Sequence, residues 1–288
     1  MATLLDRQFV KMNGLGNEIL VLDLRADPVE VAPGAIRALA RPGVLAFDQA
    51  MVLYPPRQPD IAAYVRIFNS DGSQAAACGN GTRCIAAYEA KRTGLVHVVF
   101  ESAAGLLVCD ILPDGSVRVD MGRPRLTAPE IPLSDPEVDT RFSSIWGHEA
   151  LGQASLVNMG NPHAVFFRDR RSDPAAFDLD RQGPILEHHP LFPERANISF
   201  VRIEEPDHLS VEVWERGAGR TRACGTAACA VAVAAVRTGR AGRRVRVSLP
   251  GGDLLVCWRA EDDHVLMIGP VEFEFEGRIT PAMLSEAA

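Results

Sequence analysis

Two cysteines stand directly before glycine at the head of an apolar run: Cys78 in AACGNGTRCIAAYEAKRTG and Cys224 in RACGTAACAVAVAAVRTG. At the point where backbone turns into helix, the first N–H groups lack acceptors and the helix dipole is positive, which favours thiolate over thiol. The glycine beyond each cysteine lets a ligand carboxylate approach those amides. A duplicated thiol calls for a duplicated role, and inversion at a carbon has one. One group removes a proton from one face, the other delivers a proton to the opposite face, and the roles exchange in the reverse direction. A thiol lowered from about 8.5 lies near working pH, where general acid–base catalysis is most effective. With no lysine in a recognisable pyridoxal-phosphate setting, the leading chemistry is that of a cofactor-independent racemase or epimerase.

Three other chemistries fit less well. Zinc would take cysteines two to four residues apart, and Cys224-x4-Cys229 barely qualifies while Cys78-x5-Cys84 does not. Gly14-Leu-Gly16-Asn-Glu-Ile19 lacks the third glycine of a dinucleotide-binding turn, and no Walker lysine pattern occurs. A cysteine hydrolase needs one thiol and a histidine base, which leaves the second Cys-Gly unexplained. Of the remaining cysteines, Cys84 and Cys229 lie in the helical runs, and Cys109 and Cys257 end Leu-Leu-Val-Cys strands. All four read as core residues, because free cysteine behaves as a small hydrophobe.

The elements that must position the two thiols are themselves repeated. Aligning Cys84 with Cys229 brings Arg92-Thr93-Gly94 onto Arg237-Thr238-Gly239 without a gap. Asn69 precedes Cys78, and Glu215 precedes Cys224, by nine residues. Gly105–Cys109 matches Gly252–Cys257, and Gly16-Asn17 matches Gly160-Asn161. A unit of this length, present twice, means two domains of related fold and not a solenoid of short repeats. Short β-like runs dominate (Ile19–Leu22, Tyr64–Phe68, Val98–Phe100, Val117–Val119, Val211–Trp214), and helices are expected at Gly34–Ala40, Arg83–Arg92 and Ala228–Arg237. The class is therefore α+β. The second helical run is apolar on every face and must be buried on every side, which sheet wrapped around a central helix achieves.

The Pro-rich, acidic stretch 123–139 reads as the connection between the domains, placed at 1–122 and 123–269, with 270–288 returning to the first. A second Pro-rich stretch, Asp173–Pro193, reads as a long loop with His188 and His189 solvated. The 288 residues carry a net charge of −7, with 47% hydrophobic and 23% charged residues. That balance is globular, and the acidity disfavours nucleic acid as a partner. The first residues have no signal-peptide h-region, and the longest apolar run, Ala227–Val236, is too short for a bilayer. A cytoplasmic location with reduced cysteines and no membrane association is expected.

The residues resemble the diaminopimelate epimerases along nearly the whole chain: Phe9–Asn17, Phe47–Gln49, Asn69–Gly72, Ala77–Cys84, Met159–His163, Asn197–Val201, Glu215–Gly219 and Ala223–Thr226. The resemblance implies a pyridoxal-independent epimerase that interconverts the L,L and meso forms of 2,6-diaminoheptanedioate in lysine and cell-wall precursor synthesis. It implies two similar domains, each a mostly antiparallel sheet or barrel around a central helix, with the active site in a cleft between them. It further implies that Cys78 and Cys224 are the acid/base pair, supported by His163 and Glu215. The amides of Gly79, Asn80, Gly225 and Thr226 would hold the reacting carboxylate. Asn17, Gln49, Asn69, Asn161, Asn197, Glu215 and Arg216 would contact the rest of the substrate, Arg216 being suited to the distal carboxylate. No metal or cofactor is implied, and the partners expected are the small-molecule substrate and a second copy of the chain in a homodimer. Asn13, Glu18 and Ala227 depart from the family's usual His, Asp and Gly.

Two other readings of the sequence are open. A racemase of another amino acid would not need Arg216 and the asparagine set, and a binding protein without activity would not need both thiols.

Overall fold

The computed structural model describes residues 4–168 and 174–285. The chain divides into two compact units, Met1–Val119 with Gly269–Ala288, and Asp120–Ile268. The Pro-rich stretch 123–139 thus lies within the second unit.

Unit 1 runs through β1 (Gln8–Asn13), β2 (Glu18–Asp23), α1 (Pro33–Ala40), β3 (Gln49–Tyr54), β4 (Tyr64–Asn69), β5 (Gln74–Ala75), α2 (Gly79–Thr93), β6 (His97–Ser102), β7 (Gly105–Ile111) and β8 (Val117–Asp120). Unit 2 follows with β9 (Ser143–Ser144), β10 (Gln153–Asn158), β11 (Pro162–Arg168), α3 (Leu179–Glu187), β12 (Asn197–Glu205), β13 (His208–Glu215), β14 (Gly219–Thr221), α4 (Gly225–Arg237), β15 (Arg244–Leu249), β16 (Gly252–Trp258) and β17 (Val265–Gly269). The chain then gives unit 1 β18 (Glu272–Arg278), antiparallel to β1, and the short α5 (Pro281–Leu284).

The repeat seen in the sequence is a repeat of strand pairing. In unit 1, β1 and β2 are antiparallel, β2 and β3 parallel, β3 and β4 antiparallel, β4 and β5 antiparallel, β4 and β6 parallel, and β6 and β7 antiparallel. In unit 2, β10 to β16 repeat the same order of pairings, with β13 standing where β4 stands. In each unit the strands pack around one helix: α2 against β2, β3, β6 and β7, and α4 against β10, β11, β12, β13, β15 and β16. The residues of α4 from Ala227 to Ala235 are all buried. Alanine, the best helix former, stabilises this helix while its short side chain lets strands approach on every side.

Helix α3 corrects the sequence expectation for the second Pro-rich stretch. Asp178 caps it by accepting the N–H of Arg181 at 3.3 Å, and Leu179 and Leu186 bury against Phe166, Ile198 and Phe200. Tertiary burial overrides the local signal of Gly183 and Pro184. His188 is exposed as expected, but His189 is buried; it donates from Nε2 to the Trp146 carbonyl (3.2 Å) and accepts the Leu191 N–H (3.2 Å). Asp173 lies outside the described residues. Cys84, Cys109 and Cys229 are buried, whereas Cys257 is partly exposed, because β16 turns that side chain away from the packed face. No helix among the described residues is long and apolar enough to cross a membrane.

Candidate active site

In unit 1, Cys78 is the N-cap of α2, with φ −150° and ψ 101°. Its sulfur accepts the Gly81 N–H at 3.1 Å, and its S–H donates to Gln49 Oε1 at 2.6 Å. Gln49 faces Asn69 directly across β3 and β4, and donates from Nε2 to Asn69 Oδ1 at 3.1 Å. Asn69 donates in turn to Ser73 Oγ at 3.0 Å. A residue larger than glycine has no room at position 81, because a Cβ there would lie 2.5 Å from Met51 Sδ and 3.1 Å from Cys78 Sγ. Asn17 sits after the β1–β2 turn, with Nδ2 3.5 Å from Asp48 and a buried Oδ1 that no described residue donates to. Gly79 and Asn80 open α2 with N–H groups that the helix itself cannot satisfy.

In unit 2, Cys224 is the N-cap of α4, with φ −138° and ψ 107°. Its S–H donates to Glu215 Oε2 at 3.0 Å, and Thr226 Oγ1 lies 3.5 Å away. Burial first, and the Glu215 carboxylate second, push the Cys224 thiol well above the ordinary cysteine range. The lowered thiol expected at a helix N-terminus is therefore absent here, because desolvation and a neighbouring anion outweigh the dipole. Gly225 and Thr226 supply the first N–H groups of α4.

His163, fully buried on β11, has Nε2 2.8 Å from Asn161 Oδ1. Burial and the charge of Arg216 push it down to about 3, so the ring is neutral. With Nε2–H donating to Asn161, Nδ1 keeps a buried lone pair that no described residue meets. Within unit 2 the partner of the thiol is Glu215 and not His163. Asn197 is committed to the protein: Oδ1 accepts the Arg216 N–H at 2.9 Å and Nδ2 donates to the Pro162 carbonyl at 3.0 Å. Arg216 bonds the Glu194 carbonyl at 2.9 Å and lines an open cavity of about 420 Å³ with Arg125, Asn158 and Gly160.

The sequence model described as diaminopimelate epimerase matches residues 9–127 and 155–274. The chain belongs to the diaminopimelate epimerase family. It is 53% identical to a diaminopimelate epimerase of Methylocella silvestris and 51% identical to one of Rhodopseudomonas palustris strain BisA53, each alignment covering 100% of both chains. The fold is also that of a predicted epimerase from Pseudomonas aeruginosa (TM-score 0.67, 20% identity, covering 95% of this chain and 99% of that one). A hydroxyproline epimerase from Agrobacterium vitis shares it too (TM-score 0.65, 17% identity, covering 96% and 93%).

Two of the departures from the diaminopimelate epimerase pattern face one another. Asn13 and Glu18 are partners across β1 and β2, and Asn13 Nδ2 donates to Glu18 Oε1 at 3.0 Å. Lys11 pairs with both Glu18 and Glu274, and Asn13 also reaches Glu274 at 3.2 Å, so the changed residues form one connected polar group. The third, Ala227, is fully buried, and its methyl takes no exposed space. Two polar residues at the site gave no signal of their own in the sequence. Arg83 is fully buried and donates to Asn80 Oδ1 at 3.0 Å, bracing the first turn of α2. Glu187 hid in the stretch read as a loop; its spacing of 28 residues before Glu215 carries no periodic signal.

Proposed function

We propose that the protein interconverts L,L- and meso-diaminopimelate without a cofactor, with Cys78 and Cys224 as the two proton-transfer groups. The observation that carries this reading is that two matched frames each end in a cysteine N-cap, one thiol against an amide and the other against a carboxylate. In the L,L to meso direction Cys78, as thiolate, takes the α-proton and becomes a thiol. The S–H of Cys224 then gives its proton to the opposite face of the carbanion and becomes the thiolate. The α-carboxylate is held by the first amides of α2 and α4, where the helix dipoles offset the charge developing in the transition state. Arg216 receives the distal carboxylate, and the open acceptor of Asn17 and the amides of Gln49, Asn69 and Asn161 serve the remaining polar groups. His163, neutral, acts as a hydrogen-bonding support and not as a cation.

The reaction belongs to lysine and peptidoglycan precursor synthesis in the cytoplasm. A second copy of the chain is the proposed partner, docking on β18, whose Phe273 and Phe275 are 37% and 51% exposed. Sedimentation at micromolar concentration checks the dimer. The activity is checked by incubating reduced protein with L,L-diaminopimelate in D2O without pyridoxal phosphate. Meso product with deuterium at the α-carbon is expected, and the absence of both sinks the reading.

A further inference from the structure

Glu187 is an acid in a doubly unfavourable place. Its residue is only 4% exposed and it ends α3, where the helix dipole repels negative charge. A buried carboxylate is tolerated only when donors satisfy it. Three do: the Gly217 N–H at 2.9 Å and Arg195 Nη1 at 3.2 Å on Oε1, and the Trp214 indole N–H at 2.8 Å on Oε2.

Two of those donors come from the residues on either side of Glu215-Arg216. The turn they enclose is narrowly defined, since the Ala218 N–H bonds the Glu215 carbonyl at 3.1 Å and Gly217 has φ 77°. The Trp214 ring is held against α3 as well, because a Cβ on Gly183 would lie 2.5 Å from it. Asn197 takes the Arg216 N–H from a further direction. The apolar cluster between α3 and β12 already supplies the packing here, so a charge at position 187 adds geometry and not burial.

We infer that Glu187 is a positioning residue of the epimerase site, gripping the Glu215-Arg216 turn at both flanks so that the Glu215 carboxylate stays on Cys224 and the Arg216 guanidinium is set for the substrate's far carboxylate. This rests on the roles proposed above for Glu215 and Arg216. Loss of one acceptor oxygen leaves the Gly217 or the Trp214 N–H unmatched and lets the turn shift, and a shift of about 1 Å is enough to cost on the order of 10²-fold in rate.

The test uses the full chain with Glu187→Gln, which keeps the shape but places an NH₂ against one of the donors. A roughly 10- to 100-fold fall in kcat/KM for L,L-diaminopimelate is expected. In a Cys78→Ala background, iodoacetamide alkylation against pH should show Cys224 titrating lower than in the parent, because Glu215 spends less time on the sulfur. Trp214→Phe keeps an aromatic ring beside Gly183 while removing the indole donor together with the outer part of the ring that lies near Gly219, and should give both changes in smaller degree. Arg195→Ala removes a cation whose side chain is 48% exposed and should leave the thiol titration in place. Parent-like kcat/KM and parent-like Cys224 titration in Glu187→Gln overturn the inference, and if that variant does not fold, the same result in Trp214→Phe overturns it. Should the parent itself fail to epimerise, the proposed function falls, while the substrate-free Cys224 titration still decides the positioning.

Discussion

Cys78 and Cys224 each cap a buried helix inside the same order of strands, yet the first faces the side-chain amide of Gln49 and the second the carboxylate of Glu215. The chemical consequence is an asymmetry in the protonation states that each neighbour can serve. An amide can turn its oxygen to a thiol or its NH₂ to a thiolate, so Gln49 serves both states; an ionised carboxylate only accepts, so Glu215 favours the thiol alone. Exposure runs the same way, since Cys78 is half-buried and accepts the Gly81 N–H, while Cys224 is buried. A duplicated frame thus gives its two thiols different partners, and under the function proposed above the one beside the amide would serve as the base and the one beside the carboxylate as the acid.

The broadest way to break this comparison is to remove either sulfur. Cys78→Ala and Cys224→Ala should each lower epimerisation by roughly 10³-fold or more, since neither group can do the other's half of the proton transfer. Full activity in either variant refutes the two-thiol mechanism. Measurement of α-deuterium uptake alongside product sharpens it, because a variant that keeps its base can still exchange the proton it removes.

Exchanging the two thiol partners is the next test. Glu215→Gln removes the anion that raises Cys224, so the thiol should titrate lower, with activity falling by about 10²-fold as the general acid is mismatched. Gln49→Glu places an anion beside Cys78, which should then titrate higher and react with iodoacetamide about tenfold more slowly near neutral pH. Thiol titration curves that ignore both substitutions show that the neighbours do not set the asymmetry.

The two frames were legible in the sequence because capping is local. A cysteine before glycine at the head of an apolar run needs only its own neighbours to become an N-cap, and both did. The thiols' partners were less so, because partnership is tertiary. Glu215 and Asn69 stand equally far before their cysteines in the chain, but it is Gln49, across the strand from Asn69, that reaches Cys78. The sign of the Cys224 shift was hidden for the same reason, since burial and a carboxylate 3.0 Å away outweigh a dipole that sequence position alone suggests. Helix α3 was read as loop because Gly183 and Pro184 are breakers whose cost is offset by tertiary packing on β12, β13 and β14.

A smaller difference between the units lies in their acid sensitivity. His163, held at about 3, and His189, also lowered by burial, both belong to unit 2, whereas the one histidine of unit 1, His97, has a side chain 60% exposed. A histidine kept neutral by burial binds its proton more readily when unfolded, so its stabilising contribution is complete above about 6.5 and is lost as pH falls toward the folded value. Hydrogen exchange between pH 6.5 and 4 should therefore show α4 losing protection before α2, and His163→Asn should narrow the gap. Equal loss in both helices contradicts this account.

The smallest expected effect concerns one methyl. Gly81 and Ala227 occupy the same third position after their N-caps, but a Cβ at Gly81 would press on Met51 Sδ and Cys78 Sγ, while Ala227 already holds its methyl in full burial. Ala227→Gly should lower stability by about 1 kcal/mol through helix propensity and leave kcat within a few-fold, since the backbone N–H survives. Gly81→Ala should shift the Cys78 titration and reduce kcat while secondary structure is retained, because the new carbon displaces the sulfur's own cap. The two substitutions are chemical opposites at equivalent sites, so matched effects on kcat would mean that the first turns of α2 and α4 are held equally tightly, and the asymmetry would then lie in Gln49 and Glu215 alone.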